Sequence, residues 1–202
     1  MLAKKLGERS SQAGDQLKIV SVDIQTIAPI EGVTLIQGDI TSQETAERIV
    51  GQFEGLKAQL VVCDGAPDVT GQHDLDEFIQ SQLILAALNI TSLIIESGGT
   101  FVAKIFRGED ITLMIAQLRI FFKNVHVAKP RSSRASSIES FVVCSGYATP
   151  IGYRPQMFDL STSVGIEPSS TNDRTLRLVP FLKCGDLNSM SQNQKNKSQR
   201  DS

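Results

Sequence analysis

Three features of the sequence predict an α/β protein with a largely parallel sheet: short β-branched runs, helix-patterned stretches alternating with them, and turn residues at the joints. Residues 18–24 (KIVSVDI), 33–37 (VTLIQ), 60–63 (LVVC) and 100–106 (TFVAKIF) are apolar and short, as buried strands are. Residues 41–53 have helical spacing, with Thr41 as the expected N-cap and Glu44 three residues on. The clearest helix starts at Asp74, with Glu77 at its third position. It carries Leu75, Phe78, Ile79, Leu83, Ala86, Ile90, Leu93 and Ile94 on its apolar stripe, and Gly98-Gly99 is the expected stop after Ser97. Residues 111–122 form a further helix. The strands at 125–128 and 140–143 have no helix between them, so one of the two should run antiparallel.

The 202 residues suit one domain and a tail, and the 41% of hydrophobic residues can build a core. The chain is read as a domain at 1–150, an extension at 151–188 with an apolar island (LRLVPFL), and a polar tail at 189–202 expected to be disordered. No apolar run is expected to reach the length needed to cross a bilayer, and the first 16 residues lack the apolar segment of a signal peptide. Cys63, Cys144 and Cys184 form no C-x-x-C pair, which fits a reduced, intracellular protein. A net charge of −2 gives no bulk attraction for nucleic acid. RNA contact would need a local patch, and Arg107, Lys129, Arg131 and Arg134 offer one.

Ligands in open α/β sheets bind beyond the carboxyl ends of the strands. Asp23 ends the first visible strand, where an acid can accept hydrogen bonds from a cofactor ribose or simply be solvated. Asp39 is equally open between adenine acceptor and turn residue. Asp64 ends a strand and enters a Gly-Ala-Pro loop, a usual place for catalytic side chains. Lys104 sits between Val102-Ala103 and Ile105-Phe106: either a partly dehydrated ammonium or an edge lysine reaching water. Glu139 alone reads first as a surface residue. His73 and His126 are too few and too scattered for a metal site. A nicotinamide enzyme would explain Asp23, but its G-x-G-x-x-G pattern is absent.

The segments VVCDGAPDVTG, GGTFVAKIFRG and AKPRSSRASSIESFVVCSGY resemble FtsJ-type RNA 2′-O-ribose methyltransferases, in order and spacing, from about residue 19 to 147. The resemblance is strongest to the eukaryotic branch acting on the tRNA anticodon loop, and VPFLKCGDL resembles that branch's C-terminal part. It implies a Rossmann-like sheet, S-adenosylmethionine as cofactor, tRNA as substrate, a cytoplasmic location, and helical-repeat and WD-repeat accessory proteins. It also implies roles within a Lys-Asp-Lys-Glu tetrad. Asp64, Lys104 and Glu139 take three of its places, with Lys104 as general base. Asp23 matches the acid that holds the cofactor ribose, Asp39 the acid near the adenine, and the Lys129–Arg134 loop a region near the RNA.

A model lysine near pKa 10.4 must fall to roughly 7–8 for base work at neutral pH, a difference of about 4 kcal/mol. Burial pushes that way, while Asp64 and Glu139 push back. The tetrad's first lysine and the family's Ala-Pro-Gly cofactor loop have no counterpart here. Lys4 and Lys5 lie in the wrong part of the order. The sheet is therefore expected to lack its first, central strand, between the strands ending at Asp23 and Asp64. Two readings follow: a methyltransferase, or a truncated form that keeps RNA or partner binding without methyl transfer. The chain alone is expected to bind S-adenosylmethionine weakly.

Overall fold

The computed structural model describes residues 17–66, 73–106, 111–131, 133–134, 137 and 139–155. In chain order these form β1 (Val20–Asp23), β2 (Thr34–Gln37), α1 (Gln43–Phe53), β3 (Ala58–Cys63), α2 (His73–Ile94), β4 (Ile95–Phe106), α3 (Ile111–Phe121), β5 (Phe122–Ala128) and β6 (Glu139–Tyr147). The alternation expected from the sequence is present. The island at 176–182, the polar tail, Cys184 and Arg107 lie outside the described residues.

The strands form two sheets. β1 and β2 pair in parallel, and β3-β4-β6-β5 form a second sheet in which β3 and β4 are parallel. β6 runs antiparallel to both β4 and β5, as the short connection between the last two strands requires. β1 and β3 have no ladder between them among the described residues, and a cleft of about 700 Å³ separates them.

The core of the four-stranded sheet lies on one face. Phe101, Ala103 and Ile105 of β4 and Val142 and Cys144 of β6 are sealed there beneath α2 and α3. Alternation puts these residues on one side and leaves Leu60 and Val62 of β3 exposed on the other. Phe122 stacks on Phe101 at 6.0 Å and meets Tyr147 edge-on at 5.4 Å. Each such buried aromatic contributes about 1.5–3 kcal/mol by removing apolar surface from water. A smaller core joins Ile36, Ala46, Ile49 and Phe53 to Ile90 and Ile94 of α2, so that helix serves both sheets.

Three sequence expectations need correction. Gly98-Gly99 does not end the long helix: α2 stops at Ile94 and β4 begins at once. The glycines lie inside β4 where the ladder slips from Ala58↔Ile95 to Leu60↔Thr100, a bulge on β4. Gly98 takes φ +84°, and a Cβ on Gly99 would meet the carbonyl of Glu96 at 3.0 Å. Thr41 does not cap α1. Its amide and hydroxyl are taken by Asp39, and Ser42 becomes the cap, accepting from the Thr45 amide at 3.2 Å. Finally, Asp76–Ile94 is long and apolar enough to cross a membrane by length and composition, yet 61% of that stretch is buried inside the protein, as in a core helix. The cap expected at Asp74 falls on a side chain outside those described.

Candidate functional site

The cleft between the two sheets gathers carboxylates at one end. Asp23 and Gln25 from the end of β1, Asp39 after β2, and Asp64 after β3 all line it. Asp23 is fixed by its own turn, its Oδ1 accepting from the Gln25 amide at 2.8 Å. Asp39 is fixed likewise, with Oδ1 accepting from the Thr41 amide at 2.8 Å and hydroxyl at 2.7 Å. Such turns are intrinsic to aspartate beside a strand end. Each carboxylate keeps its second oxygen without a hydrogen-bond partner among the described residues. Gly38 makes the sharp exit from β2 possible, since a Cβ there would run into the Thr45 side chain.

Register brings the second group together. Cys63 pairs with Ala103, so the next residues along, Asp64 and Lys104, lie side by side. Phe106 pairs with Glu139 across β6, two residues beyond Lys104 and on the same face, which makes Glu139 a diagonal neighbour within reach of a long side chain. The Lys104 ammonium meets Asp64 at 2.9 Å and Glu139 at 3.7 Å. Its side chain is 16% exposed, against 68% for Asp64 and 47% for Glu139. Burial is the largest single influence on this lysine and lowers its pKa. The hydrogen bond and charge of Asp64, with the charge and hydrogen bond of Glu139, outweigh burial and hold Lys104 above the ordinary lysine value. Burial likewise pushes the Cys63 thiol up, against an opposing backbone hydrogen bond from Gly65, so this neighbour of Asp64 is a core residue and not a thiolate.

The basic loop divides in two. Lys129 turns along the loop and donates to the Ser137 carbonyl at 2.8 Å, so it helps hold the segment closed. Arg131 and Arg134 are exposed. Among the described residues no cluster of histidine, cysteine and acidic groups could hold a metal ion.

Sequence reasoning passed over Gln80, which is 1% exposed on the long helix. Its Nε2 donates to the carbonyls of Gly65 at 3.1 Å and Lys104 at 2.8 Å. The available signal was its place on the buried stripe of Asp76, Gln80, Ile84, Ala87 and Thr91, where an amide stands among small and apolar residues.

A strand order of β2-β1, cleft, β3-β4-β6-β5, with acids at strand ends and an ion-paired lysine beside them, defines the class as a Rossmann-like methyltransferase. The model of the FtsJ-like methyltransferase family matches residues 1–147. The chain belongs to that family, whose methyl donor is S-adenosylmethionine.

It is 52% identical over 189 residues to the mouse tRNA (cytidine(32)/guanosine(34)-2′-O)-methyltransferase, covering 93% of this chain and 57% of that protein. It is 49% identical to the Schizosaccharomyces pombe enzyme of the same name, over 89% of this chain and 61% of that protein. The chain thus spans somewhat over half the length of these relatives. A solved structure from Plasmodium falciparum, assigned as a ribosomal RNA methyltransferase, superposes with a TM-score of 0.60 at 24% identity, covering 69% of this chain and 76% of that one. That likeness concerns the fold alone.

The donor set fits the methyl donor. Two strand-end carboxylates with free oxygens suit ribose hydroxyls and an adenine amine, and the cleft volume lies in the usual range for small-ligand sites.

Proposed function

We propose that this chain carries the site for 2′-O-ribose methylation of tRNA anticodon-loop nucleotides, at positions 32 and 34 as its relatives' names specify. The observation that carries the reading is the Asp64–Lys104–Glu139 cluster, set at the carboxyl end of the same strands whose cleft presents Asp23 and Asp39. S-adenosylmethionine, when bound, supplies an electrophilic methyl group on a sulfonium. Asp23 would hold its ribose, Asp39 its adenine, and Asp64 would face the reacting end. Transfer of that methyl to a ribose 2′-hydroxyl, with the thioether as leaving group, would require this chain to take up the hydroxyl proton.

Lys104 is the proposed acceptor of that proton, with Glu139 and Asp64 holding its amine in place. Only the neutral amine can accept. Its pKa is held above the ordinary lysine value by Asp64 and Glu139, so the charged form dominates at neutral pH. Base catalysis by Lys104 therefore predicts a rate that climbs with pH through the alkaline range. Arg131 and Arg134 would meet phosphates, with Arg107 joined to them as a further basic residue of the sequence. Lys129 would act chiefly by shaping the loop. Helical-repeat and WD-repeat accessory proteins and a cytoplasmic location belong to the same proposal, on the resemblance alone.

The test is transfer of a labelled methyl group to an anticodon stem-loop and to its 2′-deoxy counterparts at positions 32 and 34. Label in the ribose form only, lost in Lys104→Ala, is expected. Equal labelling of the deoxy form would sink the reading. A second reading, RNA or partner binding without methyl transfer, is favoured by two observations: the charged state of Lys104 and the open cleft between β1 and β3. It predicts stem-loop binding with no label transferred, and calorimetry that finds only weak uptake of the methyl donor. Micromolar binding of the donor to the folded chain would argue against it.

A further inference from the structure

The β3–β4 ladder ends at Cys63↔Ala103, one residue short of the two side chains that form the shortest ion pair of the site. Main-chain pairing with β3 therefore does not fix Asp64 against Lys104. The buried amide of Gln80 stands where the ladder stops. It donates to Gly65, one residue past Asp64, and to Lys104 itself. Both partners are carbonyl oxygens, so the atom facing them must be the amide nitrogen, and its two protons account for both bonds. The other end of the amide, Oε1, is buried with no partner among the described residues. A buried orphan acceptor is costly, and an apolar side chain of the same length would avoid that cost. What the amide adds in return is a bridge between two main-chain segments that carry reacting groups.

We infer that Gln80 is a positioning residue: a side-chain clasp that extends the β3–β4 ladder by one step and sets the distance between Asp64 and Lys104. The assignment deepens the methyl-transfer reading and rests on it for its purpose. Without the clasp the Asp64 loop moves off the lysine. The ammonium then keeps its burial but loses its nearest carboxylate.

The experiment follows Lys104 by NMR in the full 202-residue chain labelled at lysine Cε. Gln80→Met has nearly the same length and no donor. A folded Gln80→Met chain is expected to show a downward shift in the Lys104 titration midpoint, with the other lysine midpoints unmoved. A purely space-filling or fold-stabilising Gln80 would lower Tm and leave that midpoint where it was, and this result overturns the assignment.

The unsubstituted chain provides a check that needs no variant. Both Nε2 protons of Gln80 should be strongly protected from solvent exchange, and fast exchange of either one overturns the clasp. Neither readout requires methyl transfer. A chain that transfers no methyl but shows the shifted midpoint loses the reaction and keeps the clasp. A chain that transfers methyl with an unmoved midpoint does the reverse.

Discussion

The two sides of the cleft hold their functional groups by different means. On the β1–β2 side, Asp23 and Asp39 are each fixed by a turn two residues long, and the sheet beneath them is a single four-residue pair. On the β3–β4–β6–β5 side, Lys104 meets partners 40 residues before it and 35 after it, united by strand register and by the Gln80 amide where the β3–β4 ladder ends. Local turns survive small changes in the sheet around them, whereas a register-built cluster fails when its ladder does. The acids should therefore tolerate damage to their sheet better than the lysine tolerates damage to its own.

The largest test of this contrast is Phe101→Ala. Phe101 is fully buried against Phe122 at the centre of the four-stranded sheet, and its loss should cost about 3–5 kcal/mol. Urea unfolding should record that loss, and hydrogen exchange should accelerate across β3 to β6 together. Acceleration confined to β4 would break the picture of one cooperative sheet.

Alkaline titration is expected to have a comparable reach on the same side. Burial pushes the Cys144 thiol from 9.0 up to about 12. The unfolded chain loses that proton above pH 9 while the folded chain keeps it, so stability falls as pH rises from about 9 to about 12. The three-unit gap corresponds to roughly 4 kcal/mol. Cys144→Ala should remove this thiol's share of the fall, at the cost of a small cavity, and leave the shares of Cys63, Tyr147 and Tyr153. The β1–β2 pair holds no such buried thiol among its described residues. Exchange at Val20–Asp23 should track the global loss only if the two sheets unfold as one.

Much of this arrangement could be read from the sequence, and the misreadings have physical causes. Asp64 stood out because it ends an apolar run and enters a turn, and Lys104 because it stands inside one, whereas Glu139 read as a surface residue until the family resemblance gave it a role. Their convergence needed the register, which no local pattern encodes. Gly98-Gly99 misled because left-handed glycine conformations close helices and open bulges alike, and only the partner strand decides between them. Thr41 lost the cap because Asp39, two residues earlier, captured both of its donors. Gln80 escaped notice because glutamine is an ordinary helix former, and its partners lie 15 and 24 residues away.

A smaller test falls on the local side. Ser42→Ala removes the hydroxyl that accepts from Thr45 at the start of α1, which should cost about 1 kcal/mol. Thermal melts should register it, while the Asp39–Thr41 turn stays intact in amide shifts: the Ser42 hydroxyl's bond to the Asp39 carbonyl is lost, but the Ser42 amide still reaches that carbonyl and both Thr41 bonds to the carboxylate remain. Loss of the turn together with the cap would mean that the acids are less self-sufficient than their geometry implies.

The finest comparison separates Lys104 from the other groups that titrate at high pH. Its folded pKa is raised, so its contribution to stability is fully present below 10.5 and disappears as pH rises through the higher folded value. Cys63, Tyr147 and Tyr153 are also raised, chiefly by burial, and destabilise the fold over overlapping ranges. The lysine must therefore be read as a difference. Lys104→Met keeps the buried stem, removes the charge, and leaves two exposed carboxylates without their shared cation. At pH 8 the variant should be less stable by about 1 kcal/mol or less, because both partners are well solvated. The gap from the unsubstituted chain should narrow as pH rises beyond 10.5, since deprotonation does to the native lysine what the substitution did to the variant. A gap that stays constant with pH would assign the loss to packing, and the ion pair would then be a positioning contact with no measurable part in stability.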